Sequence, residues 1–390
     1  MSHLMNTYGR LPVTFTHGQG CRLFDTDGKV YLDALAGIAV NTLGHNHPRL
    51  AEALSRQAAR LIHTSNLYGI AEAETLADRL AELSAMDEVF CCNSGCEANE
   101  AAIKLARLYG HQQGIEKPAI IVMEHAFHGR TLATLSATGN RKVQAGFEPL
   151  VTGFLRVPFN NLPAIEQIAV HHSDVVAVMF EPIQGEGGIH PAELGFMREL
   201  RALCDKNRWL FVVDEVQCGI GRTGLWFAHQ HAGIKPDVMT LAKGLGSGVP
   251  IGTCLAAGRA TGVFKPGNHG STFGGNPFAC AAALTTLDVL TQDNLPAHAA
   301  ELGHSIRQGL KDALAHTPGV VEIRGVGLMI GVELDRPCGD LVKQALESGL
   351  LINVTADKVV RLLPPLVMSA EEGAELVTRL ATLIRSFLKS

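Results

Sequence analysis

The sequence has no excess of positive charge, no long apolar run and no basic leader. Its 390 residues carry 33 Lys and Arg against 38 Asp and Glu, a net charge of −5. Because nucleic-acid-binding proteins carry basic surfaces, this balance argues against nucleic acid as a partner. No apolar run reaches the roughly 18 residues of a membrane helix. Residues 1–13 lack a basic stretch followed by an apolar one, so we expect neither a membrane association nor a secretory signal.

The cysteines and histidines show no spacing typical of disulfide frameworks or metal sites. Nine cysteines are scattered along the chain, and the three within 91–96 form no Cys-x-x-Cys. This pattern favours free thiols in a reducing cytoplasm. Two His-x-His pairs, His45/His47 and His229/His231, have no Cys or carboxylate partner at ligand spacing. We therefore predict no metal site and a cytoplasmic location.

Short apolar runs alternate with helical stretches in the middle of the chain. Such runs, which are not amphipathic, are typical of strands buried on both faces of a parallel sheet. They occupy residues 119–123, 175–180, 209–213 and 237–242, whereas 71–84 and 195–207 have helical periodicity. This alternation predicts an α/β domain with a mostly parallel central sheet.

The two ends of the chain differ from this middle region. Around Asp27-Gly28, residues 22–33 predict a hairpin, and the C-terminal part predicts a helix at 297–315, strands at 320–324 and 327–334, and a last helix at 370–388. At roughly 150 residues per domain, 390 residues make two to three domains. We expect an N-terminal segment (1–45) that packs with the small domain, a large domain (46–285) and a small α+β C-terminal domain (286–390).

Charged residues directly follow three of the predicted strands. Glu181 follows Phe180, the pair Asp214-Glu215 follows the third run, and Lys243 follows the fourth. Ligands of α/β sheets bind beyond the carboxyl ends of the strands. These side chains therefore predict a ligand site at one edge of the sheet.

The residue types at this edge, together with a helix start, indicate a particular cofactor. Small residues around Gly95 open a helix whose free N–H groups can bind a phosphate, although an ordinary cap by Ser94 with Glu97 explains the same pattern. Lys243, at a strand end before a glycine-rich loop, is a candidate Schiff-base amine with a lowered pKa. Asp214 can keep a heterocyclic nitrogen protonated. A Schiff-base lysine, an acid for the ring nitrogen and an anion site are what pyridoxal 5′-phosphate requires.

A formal Gly-x-Gly-x-x-Gly at Gly219, Gly221 and Gly224 favours a different cofactor, a nicotinamide dinucleotide. That site also requires a helix opening at the glycines and an acidic residue about 20 positions further on. Trp226 and Phe227 follow instead, and the next strand begins at only about 237. We therefore reject the dehydrogenase interpretation.

Seven ordered motifs make the whole chain resemble the fold-type I, class-III aminotransferases. They are Asn93-Ser-Gly-Cys-Glu-Ala-Asn99, Phe127-His-Gly-Arg-Thr131, Glu181-Pro-Ile-Gln-Gly-Glu-Gly-Gly188, Asp214-Glu-Val-Gln217, Lys243, Ser271-Thr-Phe-Gly-Gly-Asn-Pro277 and Arg361-Leu-Leu-Pro-Pro365. Within the family, Tyr8-Gly-Arg-Leu-Pro12 and residues 35–45 resemble the acetylornithine branch most closely. The resemblance implies transfer of an amino group between N2-acetyl-L-ornithine and 2-oxoglutarate, with glutamate as a product, in arginine biosynthesis.

The resemblance also implies a role for individual residues. Lys243 and Asp214 are the expected catalytic residues, Phe127 stacks on the cofactor ring and Gln217 lies near its phenolic oxygen. Position 96 is usually Thr in the family; Cys96 keeps the backbone N–H but replaces a hydroxyl with a weaker donor. The full expected cofactor-binding set is Gly95, Cys96, Phe127, Asp214, Glu215, Val216, Gln217, Lys243 and Thr272.

Substrate binding and assembly follow from the same resemblance. Arg130, with Ser271 nearby, is expected to hold a carboxylate of acetylornithine. Arg361 is expected to receive the α-carboxylate of glutamate or 2-oxoglutarate, and Glu186 to shield it in the other half-reaction. Because Thr272 would complete the phosphate site of the other subunit, the active unit is expected to be a homodimer.

Several alternatives share these motifs. Sibling enzymes for ornithine, succinylornithine or 4-aminobutyrate differ only in what surrounds the far end of the amine. An aminomutase of the same fold would not need 2-oxoglutarate, and the Arg361/Glu186 pair speaks against it. A non-enzymatic binding protein of this fold would not need Lys243, Asp214 and the phosphate site intact.

Overall fold

The computed structural model describes residues 3–389. Within them the strands are β1 Phe15–Gln19, β2 Arg22–Asp25, β3 Val30–Asp33, β4 Glu88–Cys92, β5 Ala119–Met123, β6 Phe154–Val157, β7 Val175–Phe180, β8 Ile183–Gln184, β9 His190–Pro191, β10 Leu210–Asp214, β11 Val238–Leu241, β12 Gly252–Ala256, β13 Val320–Val326, β14 Met329–Leu334, β15 Leu350–Leu351, β16 Asn353–Thr355 and β17 Val359–Leu362.

Helices separate most of these strands. The α-helices are α1 Ala36–Ala39, α2 Pro48–Ala58, α3 Ala71–Ser84, α4 Gly95–Gln112, α5 Leu132–Ala137, α6 Arg141–Gln144, α7 Leu162–His171, α8 Leu194–Asn207, α9 Pro277–Gln292, α10 Leu295–Leu314, α11 Leu341–Glu347 and α12 Ala370–Lys389. Short 3₁₀ helices cover Ala228–Ala232, Lys243–Leu245 and Gly258–Ala260. None of the helices within residues 3–389 combines the length and apolar character needed to span a membrane.

A seven-stranded sheet forms the centre of the large region, in the order β4-β12-β11-β10-β7-β5-β6. Neighbours from β11 to β6 pair in parallel, whereas β12 is antiparallel to β11 and β4. Every residue of β5, β7, β10 and β11 is buried, as expected for strands covered on both faces. The predicted α/β fold with a mostly parallel central sheet is therefore confirmed.

The N-terminal hairpin and the C-terminal region are joined through their sheets. β3 pairs antiparallel with β2 and parallel with β15, which belongs to the C-terminal region. The sheet β13-β14-β17-β16 lies in that region, and its strands pair antiparallel. Arg22 reinforces the junction through an ion pair to Glu375 on α12 (2.6 Å). These contacts show that the N-terminal segment packs on the C-terminal region. The boundaries at 45/46 and 285/286 stay a prediction, and the second falls inside α9.

The apolar core has layers on both faces of the central sheet. One cluster joins α4 to the buried faces of β5, β7 and β10, and another joins the opposite strand faces to α8. The largest cluster links the N-terminal hairpin, α3, α9, α10 and α12 with the C-terminal sheet. The carboxyl ends of β7, β10 and β11 are thereby held side by side, which fixes where the residues that follow them lie.

Candidate active site

A cavity of about 310 Å³ opens at the carboxyl edge of the central sheet. It is lined by elements that are far apart in sequence: the start of α4, the loop after β5, the ends of β7, β10 and β11, and the loop before β12. Its lining residues are Val40, Asn93, Ser94, Gly95, Cys96, Asn99, Phe127, His128, Gly129, Glu181, Asp214, Val216, Gln217, Ala242, Lys243, Gly248, Val249, Pro250 and Ile251.

Asp214, the last residue of β10, lies in the wall of this cavity and is only 4 % exposed. Its Oδ2 accepts hydrogen bonds from Asn99 Nδ2 and His128 Nδ1, both at 2.8 Å. Its Oδ1 accepts from the backbone N–H of Val216 at 3.0 Å. Thr240 in turn fixes Asn99 through a hydrogen bond to its Oδ1 (2.7 Å). Three donors on different elements therefore hold this carboxylate in one orientation.

Lys243 follows β11 and begins a short 3₁₀ helix, with a left-handed φ of 43°. Burial lowers the pKa of its amine, the positive charge of Arg361 lowers it further, and Glu186 and Asp214 partly offset both effects. A lowered pKa increases the fraction of neutral amine, which is the nucleophilic form. The position and the charge environment both suit a lysine that reacts with a carbonyl group.

The start of α4 provides the anion-binding end of the cavity. Ser94 is the N-cap residue, and its Oγ accepts a hydrogen bond from the N–H of Glu97 at 3.2 Å. The first N–H groups of a helix have no intrahelical acceptor, so those at Gly95 and Cys96 remain available to an anion. A Cβ on Gly95 would lie 2.7 Å from Val216 Cγ1. A side chain at this position would therefore displace Val216. The start of α4 has both the cap and the free N–H groups that the sequence allowed.

Phe127 and Glu181 form the side of the cavity next to β7. The N–H of Phe127 donates to Glu181 Oε1 (2.8 Å), and the N–H of Gly185 donates to Oε2 (3.1 Å). Burial raises the pKa of Glu181 to about 7, against the opposing effects of His128 and the two N–H groups. The buried carboxyl group of Glu181 thus holds the backbone of Phe127, whose ring is expected to stack on the cofactor.

A second, wider cavity of about 940 Å³ adjoins the first and shares Phe127 with it. Arg130 and Glu186 line this outer cavity. The Arg130 guanidinium lies 5.8 Å from the centre of the Phe127 ring, and its backbone N–H donates to Cys96 Sγ at 3.3 Å. Arg130 is thus at the boundary between the two cavities.

Arg361 is a buried cation between the cavities, only 1 % exposed. Its Nη1 donates to Glu186 Oε1 (2.5 Å) and to Gln217 Oε1 (3.3 Å), and its Nε donates to Asn353 Oδ1 (3.0 Å). Burial raises the pKa of Glu186, but the charge and hydrogen bond of Arg361 outweigh burial and leave it below its usual value. Arg361 and Glu186 therefore form an ion pair that reaches the inner cavity through Gln217.

Three of the predicted site residues, Glu215, Ser271 and Thr272, line neither cavity. The Glu215 carboxylate is turned away from the cavity, where it accepts hydrogen bonds from the N–H groups of Ala228 and His229 (both 2.8 Å). Ser271 contacts the site indirectly, since its Oγ accepts from Asn93 Nδ2 at 3.0 Å. Thr272 is exposed and does not line the cavity. A side-chain role for Glu215 in cofactor binding has no support from this geometry.

Two residues that the sequence analysis did not single out, Asn99 and His128, hold Asp214. His128 is 2 % exposed, and its Nε2 has no hydrogen-bond partner among residues 3–389. Both residues lie inside the motifs that carry the resemblance. Their presence there was visible in the sequence, but their convergence on Asp214 depends on how α4 and the loop after β5 pack.

The two motifs considered for other ligands have structural contacts. In the glycine-rich motif, no α-helix opens after Gly224, and Arg222 donates to the carbonyls of Leu328 (3.1 Å) and Pro364 (2.5 Å). The first residue of each His-x-His pair binds a carboxylate, His45 to Asp33 and His229 to Glu215. Among residues 3–389, no three His, Cys, Asp or Glu side chains converge as a candidate metal-ion site.

The residues that line the inner cavity fit pyridoxal phosphate. The N–H groups of Gly95 and Cys96 at the start of α4, which lines the cavity, can bind a phosphate. The buried Asp214 carboxylate, the Lys243 amine and the Phe127 ring line the same cavity. This donor set matches an anion, a pyridine nitrogen, a carbonyl carbon and a planar ring in one ligand.

Comparison with known sequences agrees with this geometry. The sequence model of the family "Aminotransferase class-III" matches residues 4–384. The acetylornithine aminotransferase of Nitrosomonas europaea is 58% identical over 390 residues, which is 100% of this chain and 99% of that protein. Acetylornithine aminotransferase 1 of Bordetella parapertussis is 58% identical over 387 residues, 99% of this chain and 98% of that protein.

Solved structures show the same fold. The ornithine aminotransferase of Toxoplasma gondii, with pyridoxal phosphate (PLP) partly occupying its active site, superimposes with a TM-score of 0.95 at 35% identity and covers 100% of this chain and 94% of that one. The N-acetylornithine aminotransferase of Stenotrophomonas maltophilia gives a TM-score of 0.85 at 38% identity, covering 98% of each chain. The chain therefore belongs to the class-III aminotransferases, the fold-type I enzymes that work with pyridoxal phosphate.

Proposed function

We propose that the protein is an acetylornithine aminotransferase. It would transfer the terminal amino group of N2-acetyl-L-ornithine to 2-oxoglutarate reversibly, giving N-acetylglutamate 5-semialdehyde and glutamate, a step of arginine biosynthesis. The observation that carries the proposal is the placement of Lys243 and the buried Asp214 in one cavity, beside the Arg361–Glu186 pair. The 58% identity to acetylornithine aminotransferases over the whole chain supports this choice of amine.

The chemistry divides between the cofactor and the residues of the inner cavity. When bound, pyridoxal phosphate supplies a carbonyl group that reacts with amines and an electron sink. Lys243, which has a lowered pKa, would act as nucleophile and then as the base and acid that moves a proton on the substrate carbon. Asp214 would hold a proton at the ring nitrogen, and Phe127 and the N–H groups of α4 would orient the ring and the phosphate.

The two arginines would sort the two substrates. Arg361 is neutralised by Glu186 while an uncharged part of acetylornithine lies beside it, and Arg130 binds the distant carboxylate. When glutamate or 2-oxoglutarate enters, its α-carboxylate replaces Glu186 on Arg361 and its second carboxylate is bound by Arg130. Bidentate guanidinium–carboxylate pairs give this exchange its geometric specificity.

The active unit would be a homodimer. The segment around Leu67 and Tyr68 is strongly exposed, at 86% and 69%, and Phe273 next to Thr272 is 60% exposed. Asn66 ties the two segments together by donating to the carbonyls of Ser271 (3.0 Å) and Gly274 (2.9 Å). An exposed apolar surface of this kind marks a protein interface. Thr272 on this surface would then reach the phosphate site of the partner.

A cytoplasmic location fits the same proposal. All nine cysteines are free thiols, and most of them are buried. Proteins of oxidising compartments use cysteine mainly in disulfides, whereas reducing compartments keep thiols free.

An absorbance spectrum of the holoenzyme tests the proposed reaction. Addition of N-acetylornithine without a keto acid should convert the visible cofactor band into a band at shorter wavelength, and 2-oxoglutarate should reverse the change. A visible band that responds only to ornithine, succinylornithine or 4-aminobutyrate would assign the enzyme to a sibling substrate. Turnover of an amine without any keto acid would indicate an aminomutase instead.

A further inference from the structure

The outer cavity has two walls joined by an ion pair between exposed side chains, so this side of the cavity, which we call its mouth, faces solvent. One wall is the segment 140–143 at the start of α6, and the other is the turn 354–357 between β16 and β17. Lys142 Nζ and Asp357 Oδ2 form an ion pair across the mouth at 3.0 Å. A substrate that enters from the mouth toward Arg130 and Glu186 therefore passes the 140–143 segment.

The charges of this cavity do not balance. Of its two carboxylates, Glu186 is paired with Arg361 and Asp357 with Lys142. Arg130 and Arg141 also line the cavity, and neither forms an ion pair with a carboxylate in the described part of the chain. Arg130 already has an expected role, whereas Arg141 is an exposed guanidinium at the mouth without one.

The surroundings of Arg141 keep its charge available. Burial lowers the pKa of Arg156, and the charge of the nearby Arg141 lowers it further. The Arg156 guanidinium donates hydrogen bonds to the backbone carbonyls of 136–138. The Glu148 carboxylate, whose pKa Arg141 helps to lower, accepts a hydrogen bond from the N–H of Gly146 (2.9 Å) and is not in an ion pair with Arg141. Arg141 thus keeps a charge that no ion pair within residues 3–389 neutralises, and Glu148 and Glu124 are the carboxylates that act on the two guanidinium groups from a distance.

The two proposed substrates differ in net charge. 2-Oxoglutarate carries two carboxylates and no cation, so its net charge is about −2, whereas acetylornithine carries one carboxylate and one ammonium group and is neutral overall. A positive potential at the entrance of a low-dielectric cleft raises the local concentration and association rate of anions and has little effect on a neutral zwitterion.

We propose that Arg141 is a specificity-determining residue that recruits the dicarboxylate partner, the keto acid, to the active site. The proposal rests on the proposed function in taking 2-oxoglutarate and acetylornithine as the two substrates. Arg141 acts before the carboxylates reach Arg130 and Arg361, so it changes kcat/KM of one half-reaction and leaves kcat at saturation unchanged. Because it is exposed, its influence is screened by salt.

The test compares Arg141→Gln and Arg141→Lys with the wild-type holoenzyme. Each half-reaction is followed separately by the absorbance of the bound cofactor. In Arg141→Gln, kcat/KM for 2-oxoglutarate should fall about fivefold at low ionic strength, and the loss should disappear near 1 M salt, where the Debye length is about 3 Å. The value for acetylornithine should change less than about twofold, and Arg141→Lys should behave like the wild type.

A matched control removes a charge on the opposite side of the sheet. Lys117 is exposed just before β5, at the amino ends of the strands, so Lys117→Gln should leave both half-reactions unchanged. Calorimetric titration with glutarate, which has two carboxylates and no keto group, gives a readout that is independent of turnover. Its affinity should fall in Arg141→Gln by a factor similar to that of kcat/KM.

Three outcomes would overturn the proposal: an equal loss for both substrates, a loss that persists at 1 M salt, or no loss. If the proposed function is wrong, the wild-type enzyme itself will not react with acetylornithine, which distinguishes this case from a wrong role of Arg141. In that case the comparison of 2-oxoglutarate with the monocarboxylate 2-oxovalerate still tests Arg141.

Discussion

The two adjoining cavities are built in opposite ways. The inner one is small, and its key charge, Asp214, is buried and held by three hydrogen-bond donors from separate elements. The outer one is about three times larger (940 against 310 Å³), and its cations Arg130, Arg141 and Lys142 are exposed. The inner cavity is therefore suited to one rigid ligand and the outer one to ligands that differ in length and charge.

This difference reflects the physics of buried and exposed charges. A buried charged side chain requires hydrogen-bonded partners, and these partners also fix its orientation. Such a side chain is suited to contact one group of a bound ligand. An exposed charge is solvated and mobile, and it contributes attraction without a fixed geometry. Arg361 combines both properties, because it is buried but is paired with Glu186, which is itself only half-buried. Substitutions in the inner cavity should thus have much larger effects than substitutions further out.

The largest effect is expected for Lys243→Ala. Removal of the amine takes away the nucleophile and the base at the same position, so transamination should fall by more than about 10⁴-fold and the visible band of the bound cofactor should be lost. Steady-state rates and an absorbance spectrum measure both. Lys117→Ala, on the opposite side of the sheet, is the control. If Lys243→Ala retained turnover and the visible cofactor band, the catalytic role assigned to Lys243 would be wrong.

Asp214→Asn should have the next largest effect. The amide keeps the size of the carboxylate but loses its charge, and its NH₂ group would face the donor of Asn99 or His128. We expect turnover to fall by about 10²- to 10³-fold, which is typical of the loss of one preorganised electrostatic contact. Asp78→Asn on the exposed face of α3 is a matched control. Turnover within a factor of three of the wild type would contradict the assigned role of Asp214.

Glu181→Gln should change how stability depends on pH. Burial raises the folded-state pKa of Glu181 to about 7, above its ordinary 4.5. A raised carboxyl pKa means that the folded state binds the proton more tightly, so this stabilisation is complete below about pH 4.5 and is lost as pH rises through 7. At roughly 1.4 kcal/mol per pKa unit the loss of stability is at most about 3.5 kcal/mol.

Thermal unfolding of both proteins between pH 5 and 8 measures this effect. Relative to Glu181→Gln, the Tm of the wild type should decrease as pH rises. Parallel curves over this range would mean that the carboxyl group of Glu181 titrates outside it.

The smallest effect is expected for Cys96→Thr. Both residues keep the backbone N–H of the helix start, and only the side-chain donor changes. The affinity for pyridoxal phosphate should rise by no more than about threefold, measured by titration of the apoprotein. Cys96→Ser adds a hydroxyl without the extra methyl group and should give the same result. A change above tenfold would show that the side chain, and not the helix start, dominates phosphate binding.

The local pattern of the chain predicted most of the fold. The continuous apolar runs at Ala119–Met123 and Val175–Phe180 and the amphipathic helix Ala71–Ser84 occur at the predicted residues. Other boundaries moved by one or two residues, as for β10, which includes Asp214. Such elements are readable because burial on both faces, or on one face of a helix, demands a regular spacing of apolar residues.

The site was only partly readable in this way. Lys243 and Asp214 could be found because they lie at the carboxyl ends of buried strands, where α/β sheets bind ligands, and the order of motifs indicated the family. The sequence could not indicate that Glu215, next to Asp214, faces away from the cavity toward His229. Neighbouring residues at a strand end point in opposite directions, so the choice between them depends on packing.

What the sequence determines about this protein is thus the order of its elements, its family and the residue types that the chemistry requires. Tertiary structure alone decides that Asn99 and His128 converge on Asp214, that Arg361 is buried against Glu186, and that Arg141 has no ion-pair partner among residues 3–389. The physical reason is distance along the chain. Apolar periodicity acts over a few residues, whereas these contacts join groups up to 175 positions apart, and only the packed sheet brings them together.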